Sequence, residues 1–387
     1  AFLLSLSTFS SATTYYVSKT GADSHACSAT DSAGTNKLTI SSGVTCLSPG
    51  DTLIVKSGTY TETLSSNIPG GTSWSAPVTL KANAGDTVTI NQTTGLADQL
   101  IYFGLSSQNY IILDGFILDA NLHAQYAVQM NTGSGPFQYL NIECKNATHS
   151  CINGGTTSGI IYRYLNSHNN GTTGLDHGLY IGNPNVLIEH SKFYNNTGAG
   201  IQYQDNPGGG NSNGIIRYNE LYNNGSYGIV LSFGSNNTVY NNIIYNNDEG
   251  IVNNSDFTLA YNNTIYNNTT SGIRGVNNQH LTIKNNIVYA NGTNLDLTGV
   301  NPISTCAYNL SGTSQPSMCT NGVVGDPLFK NAAGVDFSLL AGSPGINAGI
   351  TAIATGITCV YVGSGCDIGA LESPIFNSAR VDVAGTL

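Results

Sequence analysis

The sequence predicts an all-β solenoid, a single stack of short parallel strands with an extension at each end, and three observations carry that prediction. Two independent markers repeat in step, the apolar pattern between them has the length of strands rather than helices, and the surface is polar without being charged. The first marker is Tyr194-Asn195-Asn196, Tyr222-Asn223-Asn224, Tyr245-Asn246-Asn247, Tyr266-Asn267-Asn268 and Tyr289-Ala290-Asn291, at intervals of 28, 23, 21 and 23 residues. The second, Gly200-Ile201, Gly228-Ile229, Gly250-Ile251 and Gly272-Ile273, recurs at 28, 22 and 22.

Between the markers lie short β-branched runs such as Ile215-Ile216, Ile243-Ile244 and Leu281-Thr282-Ile283, divided by Asn-Asn, Asn-Gly and Ser-Gly turn signals. No 3.6-residue period is present, so each repeat reads as three strands and three turns. Three residues before four of the Tyr stand Asn219, Asn242, Asn263 and Asn286. Coils stacked about 4.8 Å apart would place these amides over one another, each donating to the next, as an Asn ladder. Ser191 is where that ladder lapses.

Only 9% of the 387 residues are charged while 40% are hydrophobic, which describes an uncharged polar surface over a real core. The net charge of −10, with twelve scattered Lys and Arg, excludes a nucleic-acid footprint and disfavours anionic membranes. No apolar run is long enough to span a membrane. Eight Cys fall into four close pairs, Cys27/Cys46, Cys144/Cys151, Cys306/Cys319 and Cys359/Cys366, none with zinc-site spacing. Four local disulfides in an oxidising compartment are expected, with no metal and no cofactor. The segment Ala1 to Phe9 resembles the apolar core of a secretory signal, and Ser10-Ser11-Ala12 resembles its cleavage site. Residues 1–12 are read as a hydrophobic N-terminal strand, 13–300 as the solenoid, and 301–387 as a closing module and tail.

The opening Thr14-Tyr15-Tyr16-Val17-Ser18, Pro49-Gly50-Asp51-Thr52-Leu53-Ile54-Val55 and Gly58-Thr59-Tyr60 resembles that of the right-handed parallel β-helix proteins, the pectate-lyase-like superfamily. Gly325-Asp326-Pro327-Leu328-Phe329, Gly342-Ser343-Pro344 and Asp367-Ile368-Gly369-Ala370-Leu371-Glu372 resemble a closing module found in such secreted proteins. The resemblance covers residues 13–372 and implies a single-stranded right-handed parallel β-helix. It implies no particular activity, because this fold carries lyases, hydrolases, adhesins and fibres.

β-Elimination on an acidic sugar needs a Lys or Arg base beside something that neutralises the substrate carboxylate, often Ca²⁺. Lys145, Lys192, Arg217 and Arg274 lie in the central coils, near Asp114, Asp119, Asp176, Asp205, Glu220, Asp248 and Glu249, without the dense Asp cluster of calcium-dependent lyases. No catalytic residue is assigned. Asp176-His177-Gly178 reads as a turn before a strand rather than a catalytic pair, and Asp114 with Asp119 or Asp248 with Glu249 are too close in sequence to flank one bond. The Tyr row reads as stacking that stiffens the coils, or else as a platform for sugar faces. Among twelve Asn-x-Ser/Thr sequons, Asn170, Asn195, Asn224, Asn267 and Asn291 are read as one row of exposed turns open to glycans.

The open ends of a solenoid need caps or partners. The function expected is therefore an extracellular structural protein, a fibre or surface-layer subunit assembled head-to-tail from copies of itself. Phe2, Leu3, Leu4, Leu6 and Phe9 would make the subunit contact by strand addition. The alternative is a secreted carbohydrate-active enzyme, a polysaccharide lyase or glycoside hydrolase, or a glycan-binding adhesin. Peptide mapping under non-reducing conditions should recover the links 27–46, 144–151, 306–319 and 359–366; free thiols or links between distant pairs would contradict the local pairing.

Overall fold

A computed structural model describes residues 12–155, 157–204 and 212–373. The expected subunit-contact strand, Phe2 to Phe9, and the tail after Ser373 lie outside the described residues, as does Asp205. Residue contacts divide the chain into two compact units, 1–198 with 202–211, and 199–201 with 212–387. Each is built from short parallel strands sorted into three sheets, the strands of one coil contributing one to each.

In the first unit, the first sheet begins Thr14–Val17, Thr52–Val55, Val78–Ala82 and Ile111–Asp114, each paired in register with the next. Alternation across the strands sends one column inward: Leu53, Leu80, Leu113, Tyr139, Tyr162 and Ile188, all buried. Tyr139 and Tyr162 stack at 5.3 Å between ring centroids. A short helix, Ile40–Gly43, lies against the start of this sheet with Ile40 and Val44 buried. A side chain at Gly43 would collide with Val17 and Leu53, so the helix sits flush on the first coils. Glu62 accepts from the N–H groups of Ile40 and Ser41 at 2.9 and 2.8 Å, satisfying donors that a helix start leaves open. The chain's own residues 40–47 thus cover this apolar surface.

In the second unit, the inward column of the first sheet is Ile216, Val239, Ala260, Ile283 and Cys306. Parallel pairing continues beyond residue 300, through Thr305–Ala307 and Cys319–Thr320 in one sheet and Leu310–Ser311 and Val323–Val324 in another. The expected boundary at 300 is therefore corrected to about Val324. The coils stack this closely because Gly228, Gly250 and Gly272 carry no Cβ: one would approach the carbonyl or side chain of the next coil to 2.5 Å or less. That is the physical content of the Gly-Ile marker.

All four local disulfides are formed. Cys27–Cys46 ties the loop before the short helix to the 3₁₀ turn Val44–Cys46 that follows it, with Cα atoms 5.6 Å apart. Cys144–Cys151 joins the buried Cys144 of one strand to the buried Cys151, just before the next strand of the same coil, at 5.8 Å. Cys306–Cys319 lies directly across two register-paired strands, and Cys359–Cys366 closes a loop of the final segment.

The turns explain the Asn-Asn pairs. Asn241, Asn262 and Asn285 adopt left-handed backbone at φ 53°, 50° and 54°, a conformation Asn tolerates better than most residues. The following Asn turns inward along the stack. Asn219 donates to Asn242 at 3.0 Å, Asn242 to Asn263 at 3.0 Å, Asn263 to Asn286 at 2.9 Å, and Asn286 to Asn309 at 3.0 Å. Each carboxamide oxygen also takes the backbone N–H of the Asn one coil back, as Asn242 does for Asn219. Where Ser191 stands in the first unit, its hydroxyl accepts from the Leu165 N–H at 3.0 Å, which keeps the backbone bond of a rung.

A second ladder, unexpected from the sequence, runs Asn224, Asn247, Asn268, Asn291 and Asn294 at 2.8–3.1 Å. Asn170 and Asn196 make the same contact in the first unit. The reading of five sequons as one exposed row is corrected accordingly. Asn170 and Asn224 are buried rungs and Asn291 is a partly buried one, whereas Asn195 and Asn267 are the exposed left-handed residues before a rung. Their places differ because the repeat aligns the first Asn of one pair with the second of another.

Asn242→Ala removes the buried acceptor that the Asn219 N–H and the Asn219 Nδ2 share. Its unfolding free energy should fall by about 2–6 kcal/mol, the cost of two buried groups that lose this acceptor. Asn241→Ala, which loses only a backbone preference, should cost about 1–2 kcal/mol. Urea denaturation of both variants tests this; equal losses would refute the ladder as the stronger of the two contributions.

Candidate functional site

The second sheet of the first unit presents two outward columns, since Cys144 points into the core and its neighbours point out. One column holds Glu143, Asn166 and Lys192, the other Asn91, Asp119, Lys145, His168 and Tyr194. Two adjacent coils therefore bring a carboxylate, an ammonium and an imidazole together, and the next coil adds the Tyr194 ring. Lys145 Nζ lies 2.6 Å from Glu143 Oε1, and His168 Nε2 lies 3.4 Å from the same oxygen. Tyr194 stacks on His168 at 4.7 Å with the rings 6° from parallel. Asp119 faces Lys145 in the register while its Oδ1 accepts from Asn146 Nδ2 and the Asn121 N–H at 2.8 and 2.9 Å.

Burial pushes the Glu143 carboxyl up, but the Lys145 hydrogen bond and charge, with the His168 contact, outweigh it and hold the group below its ordinary value. Lys145 is raised by its hydrogen bond to Glu143, against some desolvation, and by the charges of Glu143 and Asp119. His168 is lowered by burial despite Glu143 beside it. At neutral pH the site therefore holds a carboxylate, an ammonium and a neutral imidazole. His168 is only 9% exposed, and its Nδ1 is buried with no hydrogen-bond partner among the described residues. A Glu143 carboxylate can accept a proton or a hydroxyl hydrogen, and Lys145 can pair with a substrate oxygen or carboxylate. No three His, Cys, Asp or Glu among the described residues are grouped to hold a metal ion.

Other sequence candidates go elsewhere. Asp176 accepts from the N–H groups of Thr172 and Thr173 at 2.9 and 2.7 Å and pairs with His149 at 2.8 Å, so it shapes a turn. Its neighbour His177 is buried, which pushes the ring down to about 4 against the charge of Asp176. Asp114 ends a strand of the first sheet and Asp119 one of the second, so the two do not converge. Glu249 is clamped by Arg274 at 2.5 and 2.6 Å and by Ser271 Oγ, while Asp248 accepts from Thr270. Arg217 donates to the Tyr240 hydroxyl at 2.7 Å. In the Tyr row, Tyr222 and Tyr245 stack at 5.0 Å, but Phe337 lies against Tyr245 and Tyr266, and Phe329 against Tyr266 and Tyr289. The closing segment covers that part of the row. Glu143 and His168, which the sequence reading passed over, form no local motif; Glu143 stands two residues from Lys145 on the same strand, and His168 joins them only from the next coil.

A buried neutral His resists protonation in the folded state but not in the unfolded chain. Stability should therefore decline as pH falls from about 6.5 towards 4, the window between the free and folded values for His177. The expected outcome is a lower melting temperature at pH 5 than at pH 7, with His177→Gln flattening that limb; an unchanged limb would place the cause in the carboxylates.

The family model described as right handed beta helix region matches residues 177–338. No curated protein sequence matches the chain. Among solved structures, pectate lyase Pel9A is similar at a TM-score of 0.65 and 17% identity, over 95% of this chain and 98% of that one. XylC, solved in complex with xylose, gives 0.59 and 14%, over 82% and 87%. A rhamnogalacturonan lyase gives 0.50 and 14%, over 81% and 85%. At such identities the likeness is one of fold. In its stacked parallel coils, its matched region and its near full-length superposition, the chain is a right-handed parallel β-helix protein of the pectate-lyase-like fold.

Proposed function

We propose that the protein is a secreted carbohydrate-active enzyme that cleaves a polysaccharide, a lyase or a glycoside hydrolase, with Glu143, Lys145 and His168 as its reactive group. The observation that carries this reading is the convergence of an ionised carboxylate, an ammonium and a sealed neutral imidazole on one outward face. Glu143 is the proton acceptor of the site. Lys145 holds the substrate's negative oxygen, and His168, fixed by Tyr194, keeps the carboxylate oriented. Support also comes from the similar structures, two of which are named as lyases and one of which was solved with xylose. Four disulfides fit a chain that matures in an oxidising, extracytoplasmic compartment. No helix among the described residues is long and apolar enough to cross a membrane.

This replaces the fibre as the preferred reading. The strand addition that would build a fibre rests on Phe2, Leu3, Leu4, Leu6 and Phe9, outside the described residues, and the apolar start of the first sheet is covered by Ile40 and Val44.

The test is to incubate the full chain with polygalacturonate, rhamnogalacturonan, xylan and alginate, recording new reducing ends and ultraviolet absorbance of unsaturated products together. Reducing ends alone identify a hydrolase; both signals identify a lyase. Glu143→Gln should lower the rate by at least about 100-fold, the scale of general acid–base catalysis. Its melting temperature should move little, because a part-exposed ion pair contributes about 1 kcal/mol or less. No cleavage of any of the four, or full activity in Glu143→Gln, overturns the proposal.

A further inference from the structure

In the second unit the closing segment folds back over the outer face of the first sheet and leaves an open cavity of about 80 Å³. One wall is a run of tyrosines from three successive coils, Tyr218, Tyr240 and Tyr261; Cys359, Gly369 and Glu372 form part of the other. Tyr240 and Tyr261 stack at 4.7 Å, 6° from parallel, but Tyr218 breaks the stack, standing 70° to Tyr240 with 43% of its surface exposed. The disulfide Cys359–Cys366 closes the loop behind that wall. Gly369 packs against Ile287 and Thr264, and the Ala370 N–H donates to Thr264 Oγ1 at 3.0 Å, which seats the closing strand.

Two acceptors line the cavity without donors. Asn262 is 5% exposed and its Oδ1 is buried with no partner; its Nδ2 lies 3.8 Å from Cys359 Sγ. Glu372 accepts the Asp367 N–H on Oε1 at 3.1 Å and has the Val362 N–H nearby, while its Oε2 is buried with no partner in hydrogen-bonding geometry. Buried acceptors left unsatisfied are costly, so the site calls for a donor from outside the protein. Water could supply hydrogen bonds to both, yet it gains nothing from the tyrosine faces. A molecule with one apolar face and adjacent hydroxyls satisfies both walls.

We infer that this cavity is a binding site for a neutral sugar ring, its C–H face against the tyrosine wall and two of its hydroxyls donating to Asn262 Oδ1 and Glu372 Oε2. A cationic ligand is disfavoured because the Arg217 guanidinium already lies 5.6 and 5.9 Å from the ring centres of Tyr218 and Tyr240. An acidic sugar is disfavoured by Glu372 itself. Burial, and then the charge of Asp367, pushes that carboxyl up to about 7, so it also offers a cation only part of a negative charge near neutrality. The site shares no residue with the Glu143 group and does not depend on the proposed cleavage. It gives the chain a second, non-catalytic hold on a glycan.

The experiment titrates the full chain with D-xylose, D-galactose, L-rhamnose and tetramethylammonium, by ligand-observed saturation-transfer NMR and calorimetry. At least one of the sugars should bind, and Glu372→Gln and Tyr218→Asn should each weaken it by about tenfold, the effect of one lost hydrogen bond or ring contact. Asn is chosen at 218 because it accepts the left-handed backbone there, φ 56°. Glu143→Gln should bind the sugar as the parent does, which separates this site from the proposed active one. If Glu372→Gln fails to fold, Tyr218→Asn decides alone. Absence of sugar binding, affinity unchanged in the variants, or binding of tetramethylammonium in place of the sugars overturns the inference.

Discussion

Everything in this protein depends on how the backbone turns a corner inside a stack of coils. A coil of 21 to 28 residues must change direction three times, and at the tightest corners its polar groups are shut away from water. The solution is a two-residue device: one residue takes a left-handed conformation and the next sends an amide along the stack. Each rung satisfies the rung behind it, so no rung is stable by itself and the register of every strand follows from the column. In the second unit two such ladders run side by side, and at the rungs of the central coils carbonyls such as those of Ile216 and Leu221 also take a side-chain donor.

Fixed register is what turns scattered residues into sites. Lys145 sees Glu143 two residues away on its own strand, but it meets His168 only because the next coil is in register. A slip of one residue would send His168 inward and Ser167 out, and the cluster would vanish. The same logic builds the tyrosine wall of the second unit, where position 240 must face 261 in the next coil for the rings to stack.

The closing segment does more than end the stack. Phe329 and Phe337 cover tyrosines of one sheet, and Ile353 with the Cys359–Cys366 disulfide covers Tyr261 of another. Long exposed aromatic columns favour self-association, so covering them limits the surface open to it. What the segment leaves uncovered becomes a cavity.

The sequence by itself determined the solenoid, its period, the first Asn ladder and the local pairing of the cysteines, because each is written within one repeat or recurs from one to the next. The second Asn ladder escaped because its first four residues lie within the Tyr-Asn-Asn marker itself, where they read as turn residues and, at Asn224 and Asn291, as sequons. Glu143 and His168 escaped for a different reason: 25 residues apart in the chain, they become neighbours only through strand register. Tertiary structure also decided the fate of the tyrosine row, which the distant closing segment partly covers, and of the sequons, where the ladder buries one Asn of a pair and leaves the other exposed. Local repetition is a property of the chain, but proximity between coils and cover over them are properties of the stack.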